Sequence, residues 1–133
     1  MKVLVSVKRV VRSNYSNPPT FGGQIVAMVL TQPELRTLWE QELGGMRERI
    51  REMRDTLVKK LGARVPDRDF EFMRRQRGMF SYSGLTPAQV RRLREEFSIY
   101  AIETGRICVA ALNSKNIEYV ADAIAAVLDT VHA

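Results

Sequence analysis

A chain of 133 residues, 45% apolar and 27% charged, has the size and balance of one soluble globular domain with a single core. It contains no apolar run near the roughly 20 residues that a membrane-spanning helix needs, and its single cysteine, Cys108, excludes an internal disulfide. The net charge of +6 points to anionic partners or simply to solubility.

The N-terminal stretch MKVLVSVKRVVR has the periodicity of a helix over Val3–Arg12, with Val3, Leu4, Val7, Val10 and Val11 as one apolar stripe. It lacks a convincing N-cap and reads as the end of a longer helix. Lys8, Arg9 and Arg12 follow the short apolar run and no small-residue cleavage site comes after them, so a signal peptide is not expected. The segment SNYSNPPTFGG, Ser13 to Gly23, carries two prolines and two glycines and is expected to be a long extended connection of the kind that carries function.

Gln24–Gln32 reads as a short apolar helix. Pro33 then sits in the first turn of a long helix over about Pro33–Leu61. Its apolar positions, Leu35, Leu38, Trp39, Leu43, Met46, Ile50, Met53, Leu57 and Leu61, recur at three- and four-residue steps. Gly44 and Gly45 interrupt it, each costing about 1 kcal/mol against alanine, which suggests a bend or a close helix contact. The alternating Arg and Glu of MRERIREMRD read as a solvated face with i,i+4 pairs. Gly62 is expected to end the helix as its C′ residue.

A loop, ARVPDRDF, comes next, and Phe70–Arg77 is ambiguous. Met79–Ser83 alternates as a strand. Thr86 is an N-cap, followed by Pro87 at the first helical position and Gln89 in capping-box spacing, for a helix to about Phe97. Ile99–Ile102 and Arg106–Leu112 are expected as short strands joined through Thr104 and Gly105. Asn113 or Ser114 would cap a last helix to about Val131, with Ile117, Val120, Ala121, Ile124, Val127 and Leu128 on one face. The fold class is α+β, a small mixed sheet packed with helices, ordered strand-helix-strand-strand-helix behind a long helix.

Catalytic constellations are scarce. His132, the one histidine, stands beside the C-terminus, and with a single Cys and a single His there is neither a nucleophile pair nor a zinc set. Cys108 falls in an apolar run and is expected to pack as a small hydrophobe in a reducing, cytoplasmic setting. No glycine-rich phosphate loop, zinc spacing, RNA-recognition motif or aromatic-interleaved basic stripe is present. Two arginines stand out. Arg12 closes the first helix before the Pro-Pro loop, and Arg106 opens an apolar strand immediately after Gly105. A guanidinium presents a planar fork matched to a carboxylate. Arg12 as a cation on a helix dipole, and Arg106 as a solvated strand end, are equally open from the residues alone.

KRVVRSNYSNPP, then WEQEL and MRERIREMR, then QRGMFSYSGLTPAQVRRLREEF and IYAIETGRICVAALNSKN together resemble the C-terminal part of class I aminotransferases of the aspartate and aromatic amino-acid type. The bacterial aromatic amino-acid enzymes are the nearest in appearance, and the likeness runs from about Val3 to about Leu128. It implies that residues 1–32 are the end of an interdomain helix and an Asn-Pro-Pro interface loop. Residues 33–133 would then be the C-terminal small domain of a fold-type I enzyme. It also implies that Arg106 binds the substrate α-carboxylate and that Phe80 lines the pocket. Arg12 would bind the distal carboxylate of a dicarboxylic substrate from the neighbouring subunit of a homodimer, with Ser16 and Asn17 close to that intersubunit site.

The resemblance implies pyridoxal phosphate as the cofactor of the whole enzyme. The family's Ser-x-Ser-Lys segment and Tyr-x-x-Arg phosphate grip have no match here, and none of Lys2, Lys8, Lys59, Lys60 and Lys115 stands in such a context. The chain therefore reads as the last third of such an enzyme, supplying no catalytic or cofactor-binding residue itself and not binding the cofactor alone. Its partners would be amino-acid and 2-oxo-acid substrates and a second copy, with no nucleic acid and no membrane. Competing readings are a truncated, non-catalytic interaction module and, more remotely, a basic nucleic-acid binder.

Overall fold

The computed structural model describes residues 2–15 and 20–128, which form two compact units, Met1–Gly44 and Gly45–Ala133. The first unit holds α1 (Lys2–Tyr15), α2 (Thr20–Thr31) and the start of α3 (Pro33–Arg64). No described helix is long and apolar enough to cross a membrane. The Gln32 N–H still donates to Met28 (3.0 Å) and the Gln32 carbonyl already accepts from Arg36 (2.9 Å), so Pro33, which has no N–H, separates the two helices by a single residue. Thr20–Gly23, expected as extended loop, is helical. Elongating an existing helix is far cheaper than nucleating one, and the apolar run Ile25–Leu30 carries α2 back through both glycines. Val7, Val10 and Val11 of α1, and Phe21, Ile25, Val26, Met28 and Leu30 of α2, lie exposed. Pro18 and Pro19 lie outside the described residues, as does His132.

In the second unit the C-terminal half of α3 joins α4 (Glu71–Arg74), α5 (Pro87–Phe97), α6 (Ile117–Leu128) and two short strands, β1 (Phe80–Tyr82) and β2 (Arg106–Cys108). Leu57 and Leu61 of α3, Met73, Val90 and Leu93 of α5, Val109, and Ile117, Ala121, Ile124 and Val127 of α6 make one buried core. The apolar stripe of α3 is thus core only from Ile50 onward; Leu38, Trp39 and Met46 are exposed. Gly44 and Gly45 stay helical with nothing within 4 Å of where a Cβ would stand, so no close contact there requires glycine.

The α5 start is as expected: Thr86 Oγ1 accepts from the Gln89 N–H, and the Gln89 side chain accepts from the Thr86 N–H. Its end is set by Ser98 in the left-handed region (φ 54°). Asn113 holds the entry to α6, its Oδ1 accepting from Lys115 (2.9 Å) and Asn116 (3.1 Å).

Several expectations need correction. Gly62 does not end α3; the helix runs to Arg64, and the Val65 N–H still donates to Leu61. The added turn is held by Arg64, which donates to Asp122 (2.6 Å) and Glu118 (2.8 Å) of α6. Among the described residues the sheet is not mixed but one antiparallel pair, Phe80↔Cys108, Ser81↔Ile107 and Tyr82↔Arg106. Ile99–Ile102 keeps the alternation of a strand, with Ile99 and Ala101 against the core and Tyr100 out, but contributes only the bridge Ile102↔Arg106. The turn Ile102–Gly105 returns the chain too quickly for a longer ladder. β2 ends at Cys108 because the Met79 carbonyl accepts from both Val109 (2.8 Å) and Ala110 (3.3 Å), curling Val109–Ala111 into a 3₁₀ turn. Cys108 is exposed rather than packed.

Lys60 and Arg64 both donate to Glu118, Lys60 with the stronger effect, and hold its carboxyl below the ordinary carboxylate range. A carboxylate depressed in the native state stabilises the fold above its unfolded pKa, and that contribution is lost as the pH falls through the native value. The gap in urea midpoint between wild type and Glu118→Gln is therefore expected to be full above about pH 5 and to narrow progressively as the pH falls below the ordinary carboxylate range. A gap that does not change with pH would show that the ionised form carries no stability.

Candidate functional site

Side chains alternate across a strand, so the register of β1 and β2 sends Phe80, Tyr82, Arg106 and Cys108 to one face and Ser81 and Ile107 to the other. Ser81 is buried, and the first four are exposed. Together with Thr104, the residues Phe80, Ser81, Tyr82 and Arg106 line an open concavity of about 380 Å³. The Arg106 Cζ stands 4.9 Å from the centroid of the Phe80 ring, a cation–π contact. Among the described residues, the Arg106 guanidinium makes no hydrogen bond or ion pair, and no acidic side chain lines the concavity. The ring flanks the cation while, among the described residues, no acceptor takes its N–H donors.

Gly105 makes this placement possible. Its φ is +81°, and a Cβ there would lie 2.8 Å from the Leu85 carbonyl oxygen and 3.4 Å from Tyr82 Cε2. The Gly105 carbonyl accepts from the Ser83 N–H (2.8 Å) and hydroxyl (2.7 Å), fixing the turn against the strand that carries Phe80.

Two α3 arginines hold the pair of strands from behind. Arg54 is only 4% exposed; its Nε donates to Ser81 Oγ (3.2 Å) and its second nitrogen to the Gly78 carbonyl. Burial, followed by nearby Arg77, lowers its pKa from the ordinary value, with Asp55 opposing. Arg49 donates to the Ala110 and Leu112 carbonyls, both at 3.0 Å, on the turn that leaves β2. The Gln76 side-chain amide pairs with the Tyr82 N–H (2.7 Å) and carbonyl (3.0 Å) and so occupies the free edge of β1 as a third strand would.

Arg106 and Phe80 are therefore brought together. Arg12 is exposed on α1 in the other compact unit, and Ser16 and Asn17 lie outside the described residues. Neither Arg49 nor Arg54 was expected at the site, since MRERIREMRD reads as a solvated face. For Arg51 that reading holds, in its pair with Glu48. A signal for Arg54 was available: it lies four residues after Ile50 and three before Leu57, on the apolar stripe itself.

No lysine lines the concavity, and among the described residues no group of three His, Cys, Asp or Glu could hold a metal ion. A cofactor held as a Schiff base needs a lysine amine, so these residues do not by themselves fit pyridoxal phosphate.

Residues 2–124 match the family described as "Aminotransferase class I and II". The aspartate aminotransferase of Pseudomonas aeruginosa is 63% identical over 127 residues, which are 96% of this chain and 32% of that protein. The aromatic-amino-acid aminotransferase of Escherichia coli is 53% identical with the same coverage. Among solved structures, the aromatic-amino-acid aminotransferase of Burkholderia pseudomallei, covalently bound to pyridoxal phosphate, superposes with a TM-score of 0.88 at 68% identity, over 96% of this chain and 32% of that one. The Psychrobacter sp. B6 aromatic amino-acid enzyme, cocrystallised with aspartic acid, gives 0.90 at 46% identity with the same coverage. The chain thus spans about a third of the length of the relatives it matches.

Proposed function

The chain belongs to the class I and II aminotransferases, and from that premise we propose that it is the C-terminal portion of an aspartate or aromatic amino-acid aminotransferase, the part that grips the substrate carboxylate. Arg106 receives the α-carboxylate of the amino acid or 2-oxo acid, and Phe80 is the wall of its pocket. The observation that carries this reading is the unpaired guanidinium of Arg106, seated on the Phe80 ring in a concavity with no competing acid. A bidentate carboxylate is the ligand that a planar, half-shielded fork accepts best.

Arg12 is assigned to the distal carboxylate of a dicarboxylic substrate, with Ser16 and Asn17 beside it, acting from a second copy in a homodimer. The exposed apolar side chains of α1 and α2 favour such association. The Schiff-base lysine and the rest of the cofactor cradle come from the part of the enzyme that this chain does not match. Amino-group transfer to a 2-oxo acid such as 2-oxoglutarate, in the cytoplasm, is then a property of the assembled enzyme, and this chain alone is inactive.

A chimera tests this. With residues 1–133 replacing the matching third of the Pseudomonas aeruginosa enzyme, the product is expected to fold and to transaminate aspartate or tyrosine with 2-oxoglutarate, while the isolated chain does neither reaction. A folded chimera without turnover would sink the assignment. Turnover by the isolated chain would sink its dependence on the missing lysine.

A further inference from the structure

We infer that Arg54 is the positioning residue that sets the Arg106–Phe80 pair. This rests on the carboxylate reading of Arg106, but its first readout does not. Three observations converge. Arg54 is a nearly fully buried cation, 4% exposed, whereas Arg36 and Arg51 of the same helix pair with Glu40 and Glu48 on its exposed face. Burying a charge is costly unless hydrogen bonds compensate. Both of its contacts fall on the one short segment that carries Phe80: the Gly78 carbonyl two residues before it and the Ser81 hydroxyl one residue after it. Gly78 has φ +85° and nothing within 4 Å of where a Cβ would stand, so no neighbour packs against its Cα on that side. The Arg54 fork grips both sides of Phe80, adding to the hold of Val109 and Ala110 on the Met79 carbonyl and of the Gln76 amide on Tyr82.

Phe80 pairs with Cys108 and Tyr82 with Arg106, so a rotation of β1 about its axis would carry the Phe80 ring from beneath the guanidinium. Arg54 opposes that rotation from the opposite face of the sheet, through Ser81. It is not among the residues that line the concavity, and it reaches that surface through its hydrogen bonds to Gly78 and Ser81.

The test uses the full chain and NMR. Protons held over an aromatic face are displaced upfield, so the Arg106 side-chain resonances report on Phe80 directly, without ligand; Phe80→Leu defines the unstacked value. Arg54→Met is expected to lose the displacement while the core amide spectrum persists, and to weaken succinate binding about two- to fivefold, the factor that corresponds to losing a cation–π contact at an exposed site. Arg54→Lys, which keeps the charge but reaches only one of the two acceptors, is expected to restore folding without restoring the displacement. Ser81→Ala is expected to lose part of it. Should Arg54→Met fail to fold, Arg54→Lys and Ser81→Ala decide the matter. Arg64→Met, which removes the Arg64 ion pairs to Glu118 and Asp122 of α6, away from the hairpin, is expected to lower stability and leave the displacement intact. Retention of the displacement in a folded Arg54→Met protein, full recovery in Arg54→Lys, or an equal loss in Arg64→Met would each overturn the assignment. If wild type and Arg106→Ala bind succinate equally poorly while the displacement responds as described, the carboxylate reading fails and the positioning role stands.

Discussion

Gly105→Ala is expected to lower the stability of the chain by about 2–5 kcal/mol, from about 1–2 for a non-glycine residue in the left-handed region and about 1–3 for the overpacking that follows. The left-handed backbone of Gly105, φ +81°, is one source of the cost. The other is the 2.8 Å approach of the added Cβ to the Leu85 carbonyl oxygen. That neighbour is backbone, not the end of a flexible side chain. It lies just past Ser83, whose N–H and hydroxyl both bond to the Gly105 carbonyl, so relieving the clash strains those bonds. Urea unfolding measures the loss. Gly62→Ala is the matched contrast, because Gly62 is helical with nothing within 4 Å of its Cβ position, and alanine there is expected to stabilise by up to about 1 kcal/mol. A Gly105→Ala loss under about 1 kcal/mol would show that the turn has room to yield.

The same glycine shows why some of this molecule was legible in its sequence and some was not. Local signals carried through where one segment settles its own conformation. Thr86, Pro87 and Gln89 start α5 as their spacing requires, and the alternation of Met79–Ser83 puts Ser81 and Ser83 inward and Phe80 and Tyr82 outward. The glycine before Arg106 marked a turn. Expectations failed where a distant partner decides. Gly62 looked like a helix end until Arg64 met Asp122 and Glu118, more than fifty residues away in sequence. Arg106–Leu112 looked like one strand, but the Met79 carbonyl captures Val109 and Ala110 and stops it after three residues. Arg54 looked like part of a solvated face, and no short window shows that Gly78 and Ser81 will close over it. The pairing of Arg106 with Phe80 joins residues 26 positions apart (106 less 80), and only the antiparallel register makes them neighbours.

Replacing Arg106 is expected to abolish carboxylate capture while leaving the fold in place. Its guanidinium makes no hydrogen bond or ion pair among the described residues, so truncation removes no partner from the core. In the chimera, closure of the concavity by the rest of the enzyme would shield the bound carboxylate. Two charge-assisted hydrogen bonds at about 1.5–3 kcal/mol each then make Arg106→Ala cost about 3 kcal/mol or more, at least about a hundredfold in kcat/KM. Arg106→Lys separates charge from shape. An ammonium keeps the sign but offers a point donor in place of the planar fork that stands 4.9 Å from the Phe80 ring centroid. Lysine is therefore expected to recover only a part of the loss, mostly in KM, with the stabilities of all three proteins within about 1 kcal/mol, the worth of an exposed cation–π contact. Full activity in Arg106→Lys would mean that charge alone recruits the substrate. A fall in the urea midpoint matching the fall in activity would mean that Arg106 holds the hairpin together rather than its ligand. The decisive pattern is a large kinetic loss in a protein whose stability has moved by no more than the roughly 1 kcal/mol of an exposed cation–π contact, because the Phe80 ring is the one described neighbour that the Arg106 guanidinium engages.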